Sequence, residues 1–262
     1  MAIEILRAPK VTLLARPQFL GYPDLGWKSD TDVDAQALVE FAGRLCYLSF
    51  GPEARMIGGH RCIPGRTTNR EYLENLLKVK HGSVLEHAVF TFLFEGVSRA
   101  LTHELVRHRA GFGYSQLSQR YVDESHVGFV LPPEIREGTP AFDAWVRSCE
   151  QAQDAYRALV AEIERQVAPD LPPTLRRKRA REAARAVLPN CVETKVVVTG
   201  NVRAWRHFIE LRGAETADAE IRRVAVAVLR ALQREAPALF GDFEIRTAED
   251  GSEVAWTPYS KV

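Results

Sequence analysis

Net charge is what this 262-residue chain has least of: 35 Lys and Arg against 34 Asp and Glu leave a formal +1. That balance argues against a protein built to coat nucleic acid. Long apolar runs are missing too. None approaches the roughly 20 residues of a membrane span, and the opening MAIEILRAPK lacks a signal peptide's apolar core and small-residue cleavage site. The four cysteines, Cys46, Cys62, Cys149 and Cys191, form no CxxC pair, so neither a zinc ribbon nor a redox motif is signalled. GxSxG is absent, and Cys191 has no histidine close in sequence. These absences point to a reduced, cytoplasmic protein without a nucleophile pattern, whose chemistry falls to a cofactor while the protein orients reactants.

Positive charge is concentrated in residues 98–121, SRALTHELVRHRAGFGYSQLSQRY, with four arginines and two histidines in 24 residues. Around this stretch, apolar spacing predicts strands over 11–16, 87–96, 127–131 and 192–199. Helices are expected over 32–47, 69–79, 98–109, 141–167, 175–187, 201–212 and 216–235. Both faces of 87–96 (HAVFTFLFEG) are apolar, as in a central strand. Residues 50–68, rich in Gly and Pro, read as a mobile loop, 110–121 as a Gly-rich loop, and 241–262 as a poorly ordered polar tail. Strands and helices do not alternate strictly, so a single α+β domain over 1–262, with a small and mostly antiparallel sheet packed with helices, fits better than a doubly wound one.

Three constellations carry chemistry. On the 98–109 helix, Arg99, His103 and Arg107 form a stripe beside Glu104 and His108. It is either a solvated, salt-bridged face or, with Tyr114, Ser115, Gln116, Ser118 and Arg120 displayed just beyond, an anion site. His103 and His108 do not make a zinc motif: five residues turn a helix about 500°, roughly 140° off register. Gly111-Phe112-Gly113 lacks the third glycine of a dinucleotide fingerprint and follows a helix. On 201–212, Trp205, Phe208, Ile209 and Arg212 fall at i, i+3, i+4 and i+7. Arg212 is therefore desolvated unless an anion or acceptor meets it, or it snorkels at the helix end. The basic run 176–181 reads as a solvated face, with a polyanion contact as the alternative.

HGSVLEH (81–87), HELVRHR (103–109), YSQLSQRY (114–121), RAVLP (185–189) and NVRAWRHFIELR (201–212) together resemble the flavin-dependent thymidylate synthases, in order and over most of the chain. Between Arg109 and Ser118 this chain has eight residues where the family signature has seven, the extra one placed in 110–113, where glycine tolerates a bulge. The resemblance implies that Arg107, His108 and Arg109 contact FAD, Arg107 also serving nucleotide from a neighbouring subunit. Ser83, Glu86, Asn201, Arg203 and His207 would hold FAD, with Gln116 serving it as well. Glu104, Gln116, Leu117, Ser118, Gln119, Arg120 and Arg185 would surround deoxyuridylate (dUMP), Ser118 and Arg120 near its phosphate. Arg212 would polarise the uracil ring, and no metal is implied.

It further implies reductive methylation of dUMP to dTMP, with 5,10-methylenetetrahydrofolate as carbon donor and NADPH as reductant. The assembly would be a homotetramer with shared active sites and a helical lobe, binding neither nucleic acid nor membrane. The alternatives are a non-catalytic nucleotide- or RNA-binding protein and a metal hydrolase using the histidines.

Overall fold

A computed structural model describes residues 3–166 and 171–262. In chain order the elements are β1 (Ile5–Leu6), β2 (Lys10–Ala15), α1 (Asp34–Tyr47), α2 (Asn69–Lys78), β3 (Val89–Ser98), α3 (Arg99–Leu105), β4 (Phe112–Gln116) and β5 (Phe129–Val130). There follow α4 (Pro140–Gln166), α5 (Pro173–Ala184), β6 (Glu193–Asn201), α6 (Val202–Arg212), α7 (Ala219–Glu235), α8 (Pro237–Phe240), β7 (Glu244–Thr247) and β8 (Glu253–Trp256). Helices combine with a small sheet, as the α+β reading expects, in the strand order β2-β3-β6-β4. β3 is interior in that order; Phe90, Phe92 and Phe94 are buried and their alternates only partly so. β1 and β5 form a separate parallel pair. Among the described residues no helix is long and apolar enough to cross a membrane.

The chain divides into two compact units, one of residues 3–10, 94–107, 114–166 and 171–197, the other of Val11–Leu93, His108–Gly113 and Val198–Val262. In the first, α4 packs on α5. The 141–167 helix is realised as Pro140–Gln166, and residue 167 lies outside the described residues. Phe129, Cys149 and Val192 form a small core, where the Sγ atoms of Cys149 and Cys191 lie 3.7 Å apart, both as thiols. The helix expected over 98–109 stops at Leu105. Ser98 Oγ caps it through Leu101 N (3.0 Å), and the carbonyls of Val192 and Asn190 take the amides of Arg99 and Ala100. No local breaker sits at residues 105–109. Residues 112–116 leave the helical path to pair as β4, and Leu117 N continues the ladder to Lys195 O (2.8 Å). The expected Gly-rich loop is therefore strand over Phe112–Gln116.

In the second unit, α6 and α7 pack together. α7 buries Ile221, Val224, Ala225, Val228, Leu229 and Leu232, an i, i+3, i+4 stripe. Arg44 is 3% exposed and meets Glu40 (Nε to Oε1, 2.7 Å), Ser49 O (2.5 Å) and Arg66 O (2.6 Å), so it grips both ends of the 50–68 segment. The expected disordered tail is instead a β7-β8 hairpin. Ala255 N bonds Gly213 O (2.8 Å), Arg230 pairs with Glu253, and Arg246 stacks on Trp256 at 3.8 Å. Its polar residues face outward while the alternate side of β8 lies on α7, which is why composition alone misread it.

Candidate functional site

Ser83, Glu86, His108, Arg109, Asn201, Arg203, His207 and Arg212 belong to the second unit. Asn201 caps α6, its Oδ1 accepting from Ala204 N (2.8 Å). A turn precedes it in space: Phe112 N donates to Arg109 O (3.3 Å), and Gly111 at the third turn position has φ +76°. Any Cβ on Gly111 would sit 2.8 Å from Asn201 Nδ2 and 2.9 Å from Ala204 Cβ, so the stretch expected to bulge is closely packed at this residue. Gly113, by contrast, has open space around it.

α6 projects its side chains around this turn. Trp205, Phe208 and Ile209 are fully buried, and Arg212 at the end of the stripe donates through Nε to His108 Nε2 (2.9 Å). Of the alternatives the sequence left open for Arg212, the structure shows an acceptor, an imidazole. Burial, then the nearby charges of Arg212 and His207, hold His108 down at about 4, so the ring is neutral. Phe208 (5.3 Å), His207 (5.9 Å) and Phe112 (6.3 Å) surround it edge-on. Arg203 pairs with Glu86 (2.7 Å), each about half exposed, and Arg109 and His207 are exposed. Ser83 lines a cleft of about 420 Å³ with Tyr47, Arg66, Tyr72 and His81. Tyr47 and His81 stack at 6.2 Å. Sequence reasoning did not associate this pair: Tyr47 ends the 32–47 helix and His81 opens the HGSVLEH segment.

Glu104, Arg107, Gln116, Leu117, Ser118, Gln119, Arg120 and Arg185 belong to the first unit. Gln116 Nε2 donates to Thr102 Oγ1 (3.3 Å) and Thr194 Oγ1 (3.2 Å), which fixes its amide. Ser118 Oγ accepts from Arg120 N (3.4 Å), and Arg120 Nε reaches Glu182 (3.1 Å). Gln119 is buried, and its Nε2 has no hydrogen-bond partner among the described residues. Arg107 lies beyond the end of α3, so the expected Arg99-His103-Arg107 stripe is broken. Burial lowers the Arg99 pKa, and the nearby Arg185 lowers it further; two guanidiniums in mutual repulsion suit an anion. The basic run is not simply solvated either. Arg181 donates to Tyr121 O (2.7 Å) and pairs with Asp123, and Lys178 lies 5.2 Å over the Tyr121 ring.

Glu124, 2% exposed, is pushed up from 4.5 to about 7, chiefly by burial, with Arg99 opposing and Glu193 and Asp123 assisting. The folded protein therefore keeps a proton that the unfolded chain gives up above pH 4.5. Stability from this group is full below that value and is lost as pH rises through about 7. Glu124→Gln is expected to match the wild type in denaturant melts near pH 5 and to exceed it by on the order of 3 kcal/mol near pH 8. A stability difference that does not change with pH would refute this assignment.

A sequence model of the family described as thymidylate synthase complementing protein matches residues 29–238. A flavin-dependent thymidylate synthase of Mycobacteroides abscessus is 50% identical over 251 residues, 95% of each chain. One from Mycobacterium tuberculosis is 48% identical over 249 residues, again 95% of each. A UMP/dUMP methylase, PolB from Streptomyces cacaoi, solved with 5-Br UMP, has a similar fold: TM-score 0.64 and 22% identity over 92% of this chain and 96% of that one.

Proposed function

The chain belongs to the flavin-dependent thymidylate synthases, a family of methyl-transferring enzymes, and from that premise we propose that it converts dUMP to dTMP. The carbon comes from 5,10-methylenetetrahydrofolate, and the reducing equivalents come from FAD recharged by NADPH. The observation that carries this reading is Arg212, a cation directed by His108 at the end of an otherwise apolar helix face. A uracil ring must become electron-rich to attack a one-carbon donor. A preorganised cation at its oxygen or imide nitrogen stabilises the negative charge that develops, most strongly where water is sparse. No protein nucleophile is required.

The donor set fits the cofactor. Arg107, Arg109, Arg203 and His207 are exposed and cationic or donor-bearing, as pyrophosphate requires, and Ser83 opens onto the cleft beside Tyr47 and His81. These residues with His108, Asn201 and Glu86 would hold FAD, which when bound supplies the hydride chemistry. Ser118, Arg120 and Arg185 would take the dUMP phosphate, Gln116 through its fixed amide would orient the base, and Glu104, Leu117 and Gln119 would line its site. The active form in this reading is a cytoplasmic homotetramer whose sites are shared between subunits.

The direct test is the spectrum of purified protein. Oxidised-flavin absorbance should bleach with NADPH, and NADPH consumption with folate and dUMP should yield dTMP. Failure to bind flavin even after reconstitution would overturn the reading. Tight, salt-sensitive oligonucleotide binding without turnover would favour the non-catalytic alternative.

A further inference from the structure

His108 does more in this structure than offer a surface to a cofactor. Its Nε2 accepts the Nε–H of Arg212 at 2.9 Å. A nitrogen that accepts must keep its lone pair, so the proton of the neutral ring sits on Nδ1. Three edge-on rings set the plane of the imidazole. Two of them, His207 and Phe208, come from α6 itself, and the third, Phe112, comes from the turn that follows His108. Phe112 is in turn locked against Trp205 at 4.9 Å, with ring planes at 89°, and Gly200 could not carry a Cβ without meeting the Phe112 ring at 2.5 Å. The acceptor is therefore held on several sides, and the guanidinium it grips inherits that rigidity.

Guanidinium geometry gives this contact its meaning. Nε lies on one edge of the planar fork and the two Nη groups on the others. Fixing Nε fixes the direction of the whole plane. A carboxylate in the place of His108 would orient Arg212 too, but it would add a negative charge that opposes charge build-up on the substrate. An imidazole orients without adding that charge. We propose that His108 is a positioning residue for Arg212, a neutral acceptor that sets the direction of the guanidinium toward the pyrimidine. This rests on Arg212 acting on the uracil ring.

Acceptor-position variants test it. The Oε1 of glutamine can occupy the place of Nε2, whereas the Oδ1 of asparagine falls near Nδ1. His108→Gln should keep kcat for dTMP formation within about tenfold of wild type, and His108→Asn should lose about 10²-fold, the usual effect of a small misplacement at a reacting centre. Flavin dissociation constants, measured alongside, separate cofactor loss from misdirected Arg212. A second readout needs no turnover. In flavin-free protein, ¹⁵N NMR of the His108 ring should show the Nδ1–H form, and Arg212→Ala should shift the Nε2 resonance. Equal losses in the Gln and Asn variants at saturating flavin, or an Nε2–H ring in the wild type, would overturn the proposal. Near-normal turnover of Arg212→Ala would instead strike the catalytic reading of Arg212, while the NMR result would still report whether His108 holds it.

Discussion

Arg212→Ala is expected to lower dTMP formation by about 10²–10³-fold, the usual effect of removing one preorganised donor from a developing oxyanion. The fold should survive. α6 is held by Trp205, Phe208 and Ile209, all fully buried, and by Gly213 N bonding Ile209 O (2.8 Å), none of which involves the guanidinium. Flavin should still bind, and NADPH should still reduce it. The loss is therefore isolated by following product after mixing pre-reduced enzyme with dUMP and the folate. Arg212→Lys should fall between wild type and alanine, because a lysine keeps the charge but not the planar fork. An alanine variant within about tenfold of wild-type turnover would remove Arg212 from the chemistry.

Stability should respond most strongly at Arg44. Its side chain is almost wholly buried against Glu40, which also accepts from Ser29 Oγ (2.5 Å) and Asn69 Nδ2 (2.7 Å). Arg44 lies 4.7 Å over the Tyr72 ring and binds the carbonyls of Ser49 and Arg66. Arg44→Ala leaves a buried carboxylate without its cation and two carbonyls without their donor, which should cost about 3–5 kcal/mol in a denaturant melt. Adding Glu40→Gln to that variant should recover part of the loss, since the uncompensated charge is gone. A loss below about 1 kcal/mol would show the pair to be dispensable, as exposed pairs often are.

Locally encoded features were readable along the chain. The helix of residues 202–212 carries its own cap in Asn201, its own apolar stripe and its own stop at Gly213, so its limits followed from neighbours in sequence. The two largely apolar faces of residues 87–96 marked an interior strand for the same reason. Features that depend on distant partners were not readable. The helix beginning at Arg99 has good helical spacing as far as residue 109, yet pairing of β4 in the sheet ends it at Leu105. The polar end of the chain gave no sign of a hairpin, because its stabilising contacts lie on α7 and at Gly213. Arg206, which no sequence pattern singled out, is 2% exposed and bound bidentately to Asp242 at 2.7 Å, 36 residues away.

The same division applies to the site. Sequence by itself determined the family, the order of the five segments and the place of Arg212 on an apolar helix face, because residue type and helical period are properties of short stretches. Only the tertiary structure decided that Arg212 meets the neutral Nε2 of His108, 104 residues away in the chain, and that Gly111 is closely packed against Asn201 and Ala204. Which atom meets which across such a distance depends on how burial, ring packing and sheet pairing are satisfied together, and no local pattern carries that information.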